Sequence, residues 1–189
     1  MAQLNVGDLR GGAKVEVEGQ PYTVVANQFV KPGKGVAFNK IRLKHLTSGR
    51  VIERTFKSGE KVDQADVVEM GMRMLYKEAD GTIFMDENTF EQIKISNESL
   101  GDTSQWLKED ISYSIIFYKN VPVTVDPPTF LELKITETMP GDRGNTASGR
   151  VLKPATTETG AVVQVPIFID EGEVIKVDTR TGEYVSRVN

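Results

Sequence analysis

The stretch Lys31-Pro32-Gly33-Lys34-Gly35 lies between two runs with strand character, residues 22–30 and 36–46. A glycine-containing loop of five residues between two strand patterns predicts a β-hairpin. The proline fixes one φ angle, and the two glycines permit positive φ on either side of the central lysine. The sequence therefore predicts a tight tip that projects Lys34 away from the body of the protein.

The second strand of this hairpin carries a row of cations. Because successive side chains of a strand point to opposite faces, Lys40, Arg42 and Lys44 share one face and alternate with an Ile41–Leu43–His45 face. A row of three cations suits contact with phosphates. It is equally suited to be a solvated outer face, and the strand alone does not decide between the two.

Charge is segregated along the chain. Residues 1–64 carry 11 Lys/Arg against 6 Asp/Glu, a net charge of +5, whereas residues 65–127 carry 5 against 12 and residues 128–189 carry 7 against 9. Between residues 27 and 59 there are eight basic side chains and one acidic side chain. This asymmetry favours a polyanion as the partner of the first segment.

Composition excludes several classes of function. The chain has 189 residues, of which 39% are hydrophobic, and this suits several small cores better than one large one. No apolar run approaches the roughly 20 residues of a membrane-spanning helix, and no secretory signal is apparent, so we expect a cytoplasmic protein without a membrane partner. Without cysteine, and with His45 alone among histidines, we expect no metal site, no cofactor and no histidine-dependent triad.

Short strand patterns predict an all-β chain of three units, residues 1–64, 65–127 and 128–189, and their regular spacing in the first unit predicts a small barrel. In the middle segment, apolar side chains at period two, from Val68 to Tyr76, predict a strand whose methionines fill a core. An N-cap pattern at residues 102–105 predicts a short helix through Leu107. Pro122 predicts an edge strand. A five-stranded Greek-key barrel is expected at the C-terminal end, with a glycine-rich polar loop at residues 140–150.

Motifs of catalytic sites fail on inspection. The Gly-x-Gly at residues 33–35 is not followed by a helix pattern, as a dinucleotide loop requires. A lysine at an exposed tip has no apolar wall that could lower its pKa for acid–base or Schiff-base chemistry. We therefore expect no catalytic residue, and we expect Lys34 to reach into the site of another molecule or to be modified.

The motifs of the chain, taken in order, resemble those of the bacterial elongation factor P family over its whole length. They are Phe29-Val30-Lys31-Pro32-Gly33-Lys34-Gly35, Arg54-Thr55-Phe56-Lys57-Ser58-Gly59, Ala65-Asp66-Val67, Pro127-Pro128, Lys153-Pro154-Ala155, Thr159-Gly160-Ala161, Val165-Pro166 and Ile175-Lys176-Val177-Asp178-Thr179-Arg180-Thr181-Gly182-Glu183-Tyr184-Val185-Ser186-Arg187.

The resemblance implies an L-shaped monomer with an SH3-like (KOW-type) barrel followed by two OB-fold barrels. It implies binding to the 70S ribosome and its rRNA beside the P-site peptidyl-tRNA or initiator tRNA, with the tip directed at the peptidyl-transferase centre. It also implies relief of stalling at consecutive prolines. The residue at the tip is commonly modified in the family, and Lys34 occupies that position, which implies a lysine-modifying enzyme as a further partner.

Several residues become candidates for contact with tRNA or rRNA. Lys31, Pro32, Gly33 and Gly35 would position the tip. The RNA-binding candidates are Lys40, Arg42, Lys44, Arg54, Lys57, Gly144, Asn145, Thr146, Tyr184 and Arg187. At residues 144–146 the family usually carries Gly-Asp-Thr, so the asparagine here removes a charge from that loop.

Two other functions remain open from the residues alone. A general RNA-binding or transcription-associated protein with KOW and OB barrels would show salt-sensitive binding to free RNA. A small β-barrel hydrolase would need a pocket with perturbed acids, and the sequence offers none.

Overall fold

The structure, a computed structural model, describes residues 2–141 and 151–189. Within these residues most of the chain is strand, which confirms the all-β prediction. The strands form three antiparallel sheets. None of the described helices is long and apolar enough to cross a membrane.

The first sheet has six strands in the order β1-β6-β2-β3-β4-β5. Their ranges are β1 (Gln3–Asn5), β2 (Lys14–Val17), β3 (Gln20–Val30), β4 (Phe38–His45), β5 (Val51–Lys57) and β6 (Lys61–Gln64). A 3₁₀ turn at Val6–Asp8 follows β1. The core of this sheet is apolar and consists of Val6, Leu9, Val15, Val24, Ile41, Leu43 and Val62.

The hairpin β3–β4 is formed by the two longest strands of this sheet. Its pairing register runs from Tyr22 opposite His45 to Val30 opposite Phe38, with a bulge between Val24 and Ala26. Because a bulge inserts one residue, it reverses the alternation of β3 at that point. The reversal turns Asn27, rather than Ala26, towards the core side.

The middle sheet has the order β11-β10-β7-β8-β9. Its strands are β7 (Val67–Lys77), β8 (Gly81–Asp86), β9 (Gln92–Ser96), β10 (Ser112–Tyr118) and β11 (Val121–Asp126). The strand that contains Pro122 lies at an edge, as predicted, where a residue without an N–H costs no ladder hydrogen bond. Met72 and Met74 are buried as predicted, but a bulge between Met74 and Tyr76 leaves Tyr76 exposed.

The third sheet has the order β14-β13-β12-β15-β16. Its strands are β12 (Phe130–Thr138), β13 (Leu152–Thr157), β14 (Val162–Pro166), β15 (Val174–Asp178) and β16 (Glu183–Arg187). Its core combines residues of β12 to β15, two residues from the loops beside β14 and one side chain from before the sheet. They are Trp106, Leu131, Leu133, Ile135, Ala155, Ala161, Val163, Val165, Ile169, Ile175 and Val177.

The short helix predicted through Leu107 is present as a 3₁₀ helix, but the predicted side-chain cap at Asp102 is wrong. An α-helix, α1 (Asn97–Leu100), comes earlier and is capped by Ser96, whose hydroxyl accepts from the Ser99 amide. The segment Gly101–Trp106 is a 3₁₀ helix without a side-chain cap. Ser96 supplies the side-chain cap that the pattern at Asp102 only imitates.

The chain divides into two compact units, one with Met1–Met70 and Ile115–Thr124 and the other with Gly71–Ser114 and Val125–Asn189. The first sheet therefore shares a unit with the hairpin end of β10–β11. The third sheet shares a unit with β8, β9 and the helical segment.

Candidate functional site

The predicted tip joins β3 to β4. The last ladder pair is Val30 opposite Phe38, so the connection has seven residues, 31–37, rather than the five predicted. Lys31 and Lys34 are both exposed. Within the described chain, no carboxylate lies within 4.0 Å of either ammonium group. Both are therefore available to an external partner.

One glycine of the tip is required by its backbone conformation. Gly35 has φ of +128°, a region that L-residues with side chains rarely adopt, and a Cβ built on it would lie 3.5 Å from Pro32 Cγ. Gly33 does not have positive φ, and a Cβ there would meet open space. Of the two glycines that permit positive φ beside Lys34, Gly35 adopts it and Gly33 does not.

Two asparagines lie beneath the tip. Asn39 is only 3% exposed, and its Nδ2 donates to Asn27 Oδ1 at 2.9 Å. Asn27 Nδ2 in turn donates to the carbonyl oxygens of Val6 at 2.9 Å and Leu9 at 3.1 Å. The sequence interpretation missed both residues. The available signal was a polar side chain at position 39, in phase with the apolar positions 41 and 43.

The row of cations on β4 is as predicted. Lys40, Arg42 and Lys44 are exposed and alternate with buried Ile41 and Leu43. Successive side chains of β4 point to opposite faces of the sheet, and only one of these faces lies on the core.

The register of β5 adds a fourth cation to this face. Lys57 is the partner of Phe38, and residues directly opposite each other share a face, so Lys57 lies on the same side as Lys40. We call Lys40, Arg42, Lys44 and Lys57 the basic face. Its net charge is reduced by Glu53, which pairs with Arg42 in the register and lies 3.8 Å from the Lys40 ammonium.

Arg54 does not belong to the basic face. It lies opposite Ile41 in the register, so its side chain leaves the other face of β5. There its guanidinium donates to both carboxylate oxygens of Glu18, at 3.1 and 3.0 Å. This bidentate pair engages the guanidinium N–H groups that Arg54 would otherwise donate to a phosphate.

The remaining candidates belong to the third sheet. Tyr184 is partly buried and packs against the core there. Arg187 is paired with Glu173, and its guanidinium lies 5.6 Å from the centroid of the Phe168 ring. Hydrogen bonding by the Asp170 amide and by Arg187 outweighs a small burial effect and lowers the pKa of Glu173. Gly144, Asn145 and Thr146 lie outside the described residues.

The described residues contain no group of three or more histidine and acidic side chains that could hold a metal ion. The site is thus a protruding lysine above a basic face. The groups that it offers to a partner are ammonium and guanidinium ions.

Three family models match consecutive parts of the chain. They are described as the Elongation factor P (EF-P) KOW-like domain over residues 5–62, the Elongation factor P (EF-P) OB domain over residues 67–125, and Elongation factor P, C-terminal, over residues 131–187.

Curated relatives match over the full length of both chains. Proteins named Elongation factor P 2 from Protochlamydia amoebophila and Chlamydia pneumoniae are 68% and 56% identical to this chain over 189 residues, with 100% of each chain covered.

Solved structures share the fold at low identity. Eukaryotic translation initiation factor 5A from Methanococcus jannaschii aligns with a TM-score of 0.55 and 21% identity, over 67% of this chain and 94% of that one. A translation initiation factor eIF-5A family protein from Naegleria fowleri aligns with a TM-score of 0.52 and 16% identity, over 66% and 97%. Because the family models cover most of the chain and the relatives exceed half identity, this chain belongs to the elongation factor P family.

Proposed function

We propose that this chain is a non-catalytic accessory factor of the ribosome. Family membership makes it a translation elongation factor. In the proposal it binds the 70S ribosome and its rRNA beside the P-site peptidyl-tRNA or initiator tRNA. It stimulates peptide-bond formation and relieves stalling at consecutive prolines.

One observation carries this proposal. Lys34 stands exposed at the end of the hairpin β3–β4, and the basic face lies on β4 of this hairpin and on the adjacent strand β5. A phosphate backbone bound along that face would leave the tip directed past it, towards the end of the same nucleic acid. This arrangement supports contact of the basic face with tRNA and of Lys34 with the reacting end.

The physical role of Lys34 in this proposal is positioning. Restricting misaligned conformers of two reacting groups removes several kcal/mol from a barrier, up to roughly 7–11 kcal/mol for complete preorganisation. Prolines react slowly and therefore gain most from such restriction. A lysine-modifying enzyme acting on Lys34 would extend the reach of the tip, and the exposure of the ammonium is consistent with that access.

We also propose three domains, residues 1–64, 65–127 and 128–189, acting as a cytoplasmic monomer. The three sheets support this division, since each begins and ends within one of these ranges. Of the other RNA-binding candidates, Tyr184 and Arg187 remain part of the proposal for the third domain.

The test is Lys34→Ala, assayed for rescue of a consecutive-proline reporter in a reconstituted translation system. We expect Lys34→Ala to lose most of the stimulation while its thermal unfolding stays unchanged. Lys61→Ala is the matched control, because Lys61 is also an exposed lysine of the first sheet but lies on β6. Full rescue by a folded Lys34→Ala protein would contradict the proposal.

A general RNA-binding function is the second candidate, because the basic face would serve free RNA as well as tRNA. It predicts salt-sensitive binding to naked RNA with a steep dependence on salt concentration. The proposed function instead predicts co-sedimentation with ribosomes and weak binding to free RNA.

A further inference from the structure

We propose that the amide pair formed by half-buried Asn27 and buried Asn39 positions the tip and fixes the direction in which the hairpin presents Lys34. This inference rests on the proposed function of Lys34. It adds two residues that touch no substrate and act through the backbone of β3 and β4.

The first step is the anchorage. Asn39 on β4 donates to Asn27 on β3, and Asn27 donates to two main-chain carbonyls of the turn that contains Val6 and ends at Leu9. Val6 is fully buried and Leu9 nearly so. Both strands of the hairpin are thus tied to a third, fixed part of the same core by three hydrogen bonds.

The second step is the location. On β4, Ile41 and Leu43 are buried below Asn39, and beyond it towards the tip the side chains become accessible. Phe29, the register partner of Asn39, is 58% exposed. Asn39 is therefore the last buried side chain of the hairpin before the tip.

The third step is the chemistry. An apolar pair at this place would also pack, but it would not impose a direction, since dispersion contacts tolerate small rotations and shifts. A buried, fully bonded amide network has one low-energy arrangement and makes a segment rigid. Among the described residues no fully buried side-chain nitrogen or oxygen lacks a hydrogen-bond partner, and three hydrogen bonds hold this pair.

The fourth step is the distance between the amide pair and the tip, which converts a small tilt into a large displacement of Lys34. Lys34 follows Asn27 by seven residues and precedes Asn39 by five, and five extended residues span up to about 16 Å. A tilt of about 10° at the amide pair would therefore move the tip by up to about 3 Å. Since misplacement by about 1 Å can cost about 100-fold in rate, the direction of the hairpin controls what the tip can do.

Two variants of Asn39 test this inference. Asn39→Asp keeps the shape but cannot donate to Asn27 Oδ1. Asn39→Leu keeps the branching at Cγ and the number of side-chain heavy atoms and replaces the amide with apolar packing. It keeps the test decisive if the buried carboxylate of Asn39→Asp prevents folding. Asn5→Asp is the control on the same sheet, because an aspartate there can still accept from the Gly7 amide.

The first readout is the position of the hairpin itself. The chain has no cysteine, so Lys31→Cys with Lys61→Cys places one spin label beside the tip and one on β6 without interference. We expect a broader or shifted distance distribution in both Asn39 variants and an unchanged one in Asn5→Asp. An unchanged distribution in a folded Asn39→Leu protein would overturn the inference.

The second readout is consecutive-proline rescue without labels, as a function of factor concentration. We expect the maximal rate to fall about fivefold or more in the Asn39 variants. The half-saturating concentration should stay within twofold, because the basic face is intact. If Lys34→Ala is impaired and the Asn39 variants are not, the inference is wrong. If Lys34→Ala is unimpaired, the proposed function itself fails.

Discussion

The hydroxyl of Tyr118 donates to the Glu16 carboxylate at 2.9 Å and joins two residues that are 102 positions apart in the chain. Thr124 Oγ1 donates to the Leu46 carbonyl at 3.3 Å in the same unit. The hairpin end of β10–β11 is therefore fastened to the sheet that carries the tip. The Tyr118 hydroxyl and the Glu16 carboxylate also raise the pKa of the neighbouring Lys119 above its ordinary value.

Removing the Tyr118 hydroxyl should weaken this attachment. For Tyr118→Phe we expect a loss of about 1–2 kcal/mol, because a partly buried hydrogen bond to a charged group disappears. In a chain of this length, each kcal/mol of lost stability lowers the unfolding midpoint by about 2–4 °C. Tyr76→Phe is the control, since Tyr76 is 46% exposed. Equal midpoints for the two variants would show that the bond contributes nothing.

Arg42 and Arg54 should separate binding from stability. Arg42 lies on the basic face, whereas Arg54 is held by Glu18 on the other side of the sheet. We expect Arg42→Ala to weaken ribosome binding and to reduce the slope of log affinity against log salt by about one. Arg54→Ala should leave affinity within twofold and cost at most about 1 kcal/mol of stability, as exposed ion pairs do. A similar loss of affinity in both variants would remove the distinction between the two faces.

The two glycines of the tip should respond differently to alanine. Gly35→Ala places a side chain at φ of +128° and next to Pro32, and such backbone strain costs of order 1–3 kcal/mol unless the loop rearranges. Gly33→Ala meets open space at an ordinary φ and should be tolerated. Measurement of proline rescue and of thermal unfolding should show loss of function for Gly35→Ala alone. Comparable rescue by both variants would mean that the tip does not depend on this conformation.

Tyr113 should titrate above the ordinary pH range of a tyrosine. Burial raises its pKa to about 12, and the Lys108 amide, which donates to the phenolic oxygen, only partly offsets that effect. Because the folded pKa lies above the unfolded value of about 10, the contribution to stability is complete below pH 10 and is lost as the pH rises towards 12.

The check is ultraviolet absorbance of tyrosinate during alkaline titration. One of the five tyrosines should ionise late, and Tyr113→Phe should abolish that late phase. The same substitution leaves the Trp106 carbonyl and the Lys108 amide without their partner, which should cost about 1–3 kcal/mol. A late phase that persists in Tyr113→Phe would contradict the assignment.

Glu158 should make the second unit sensitive to acid. Burial opposes its ionisation, but the Lys134 amide at 2.9 Å and the Lys108 ammonium at 3.1 Å outweigh burial and lower the pKa of the carboxyl below 4.5. A lowered folded pKa contributes stability above the unfolded value and loses it as the pH falls through the folded one.

We therefore expect Glu158→Gln to be less stable than the unmodified sequence at pH 6, by less than about 1 kcal/mol, and equally stable near pH 3. Urea unfolding at both pH values measures this difference. Glu132→Gln is the control, because the Glu132 side chain is exposed and its carbonyl, not its carboxylate, meets Lys108. A difference that persists at pH 3 would contradict the electrostatic explanation.

Much of the tip and the basic face could be predicted from the sequence. On β4, basic and apolar residues alternate strictly. Because only one face of a strand can lie on the core, this alternation predicts which side chains point inward and which point outward. Gly35 is predictable in the same way, since a tight reversal next to a proline needs a residue that accepts positive φ.

The parts that were missed depend on distant neighbours. Glu18, at a turn with φ of +52°, meets Arg54 only because the sheet brings them together across 36 positions. The strand β13 was not predicted because it contains Lys153 and Pro154. Lys153 is buried, and its ammonium donates to the Met139 carbonyl. Pro154 lies beyond the last residue pair of the β12–β13 ladder, so its missing N–H breaks no hydrogen bond of that ladder.

Trp106 precedes the third sheet by more than twenty residues, yet its ring belongs to the core of that sheet, next to Gly182. A fragment that starts at residue 128 would therefore have a hole in its core and would be a poor substitute for the third domain. Since this is the single tryptophan of the chain, its intrinsic fluorescence is a natural reporter for that core. Tryptophan emission should follow the unfolding of the second unit, because the first sheet, which carries the tip, contains no tryptophan.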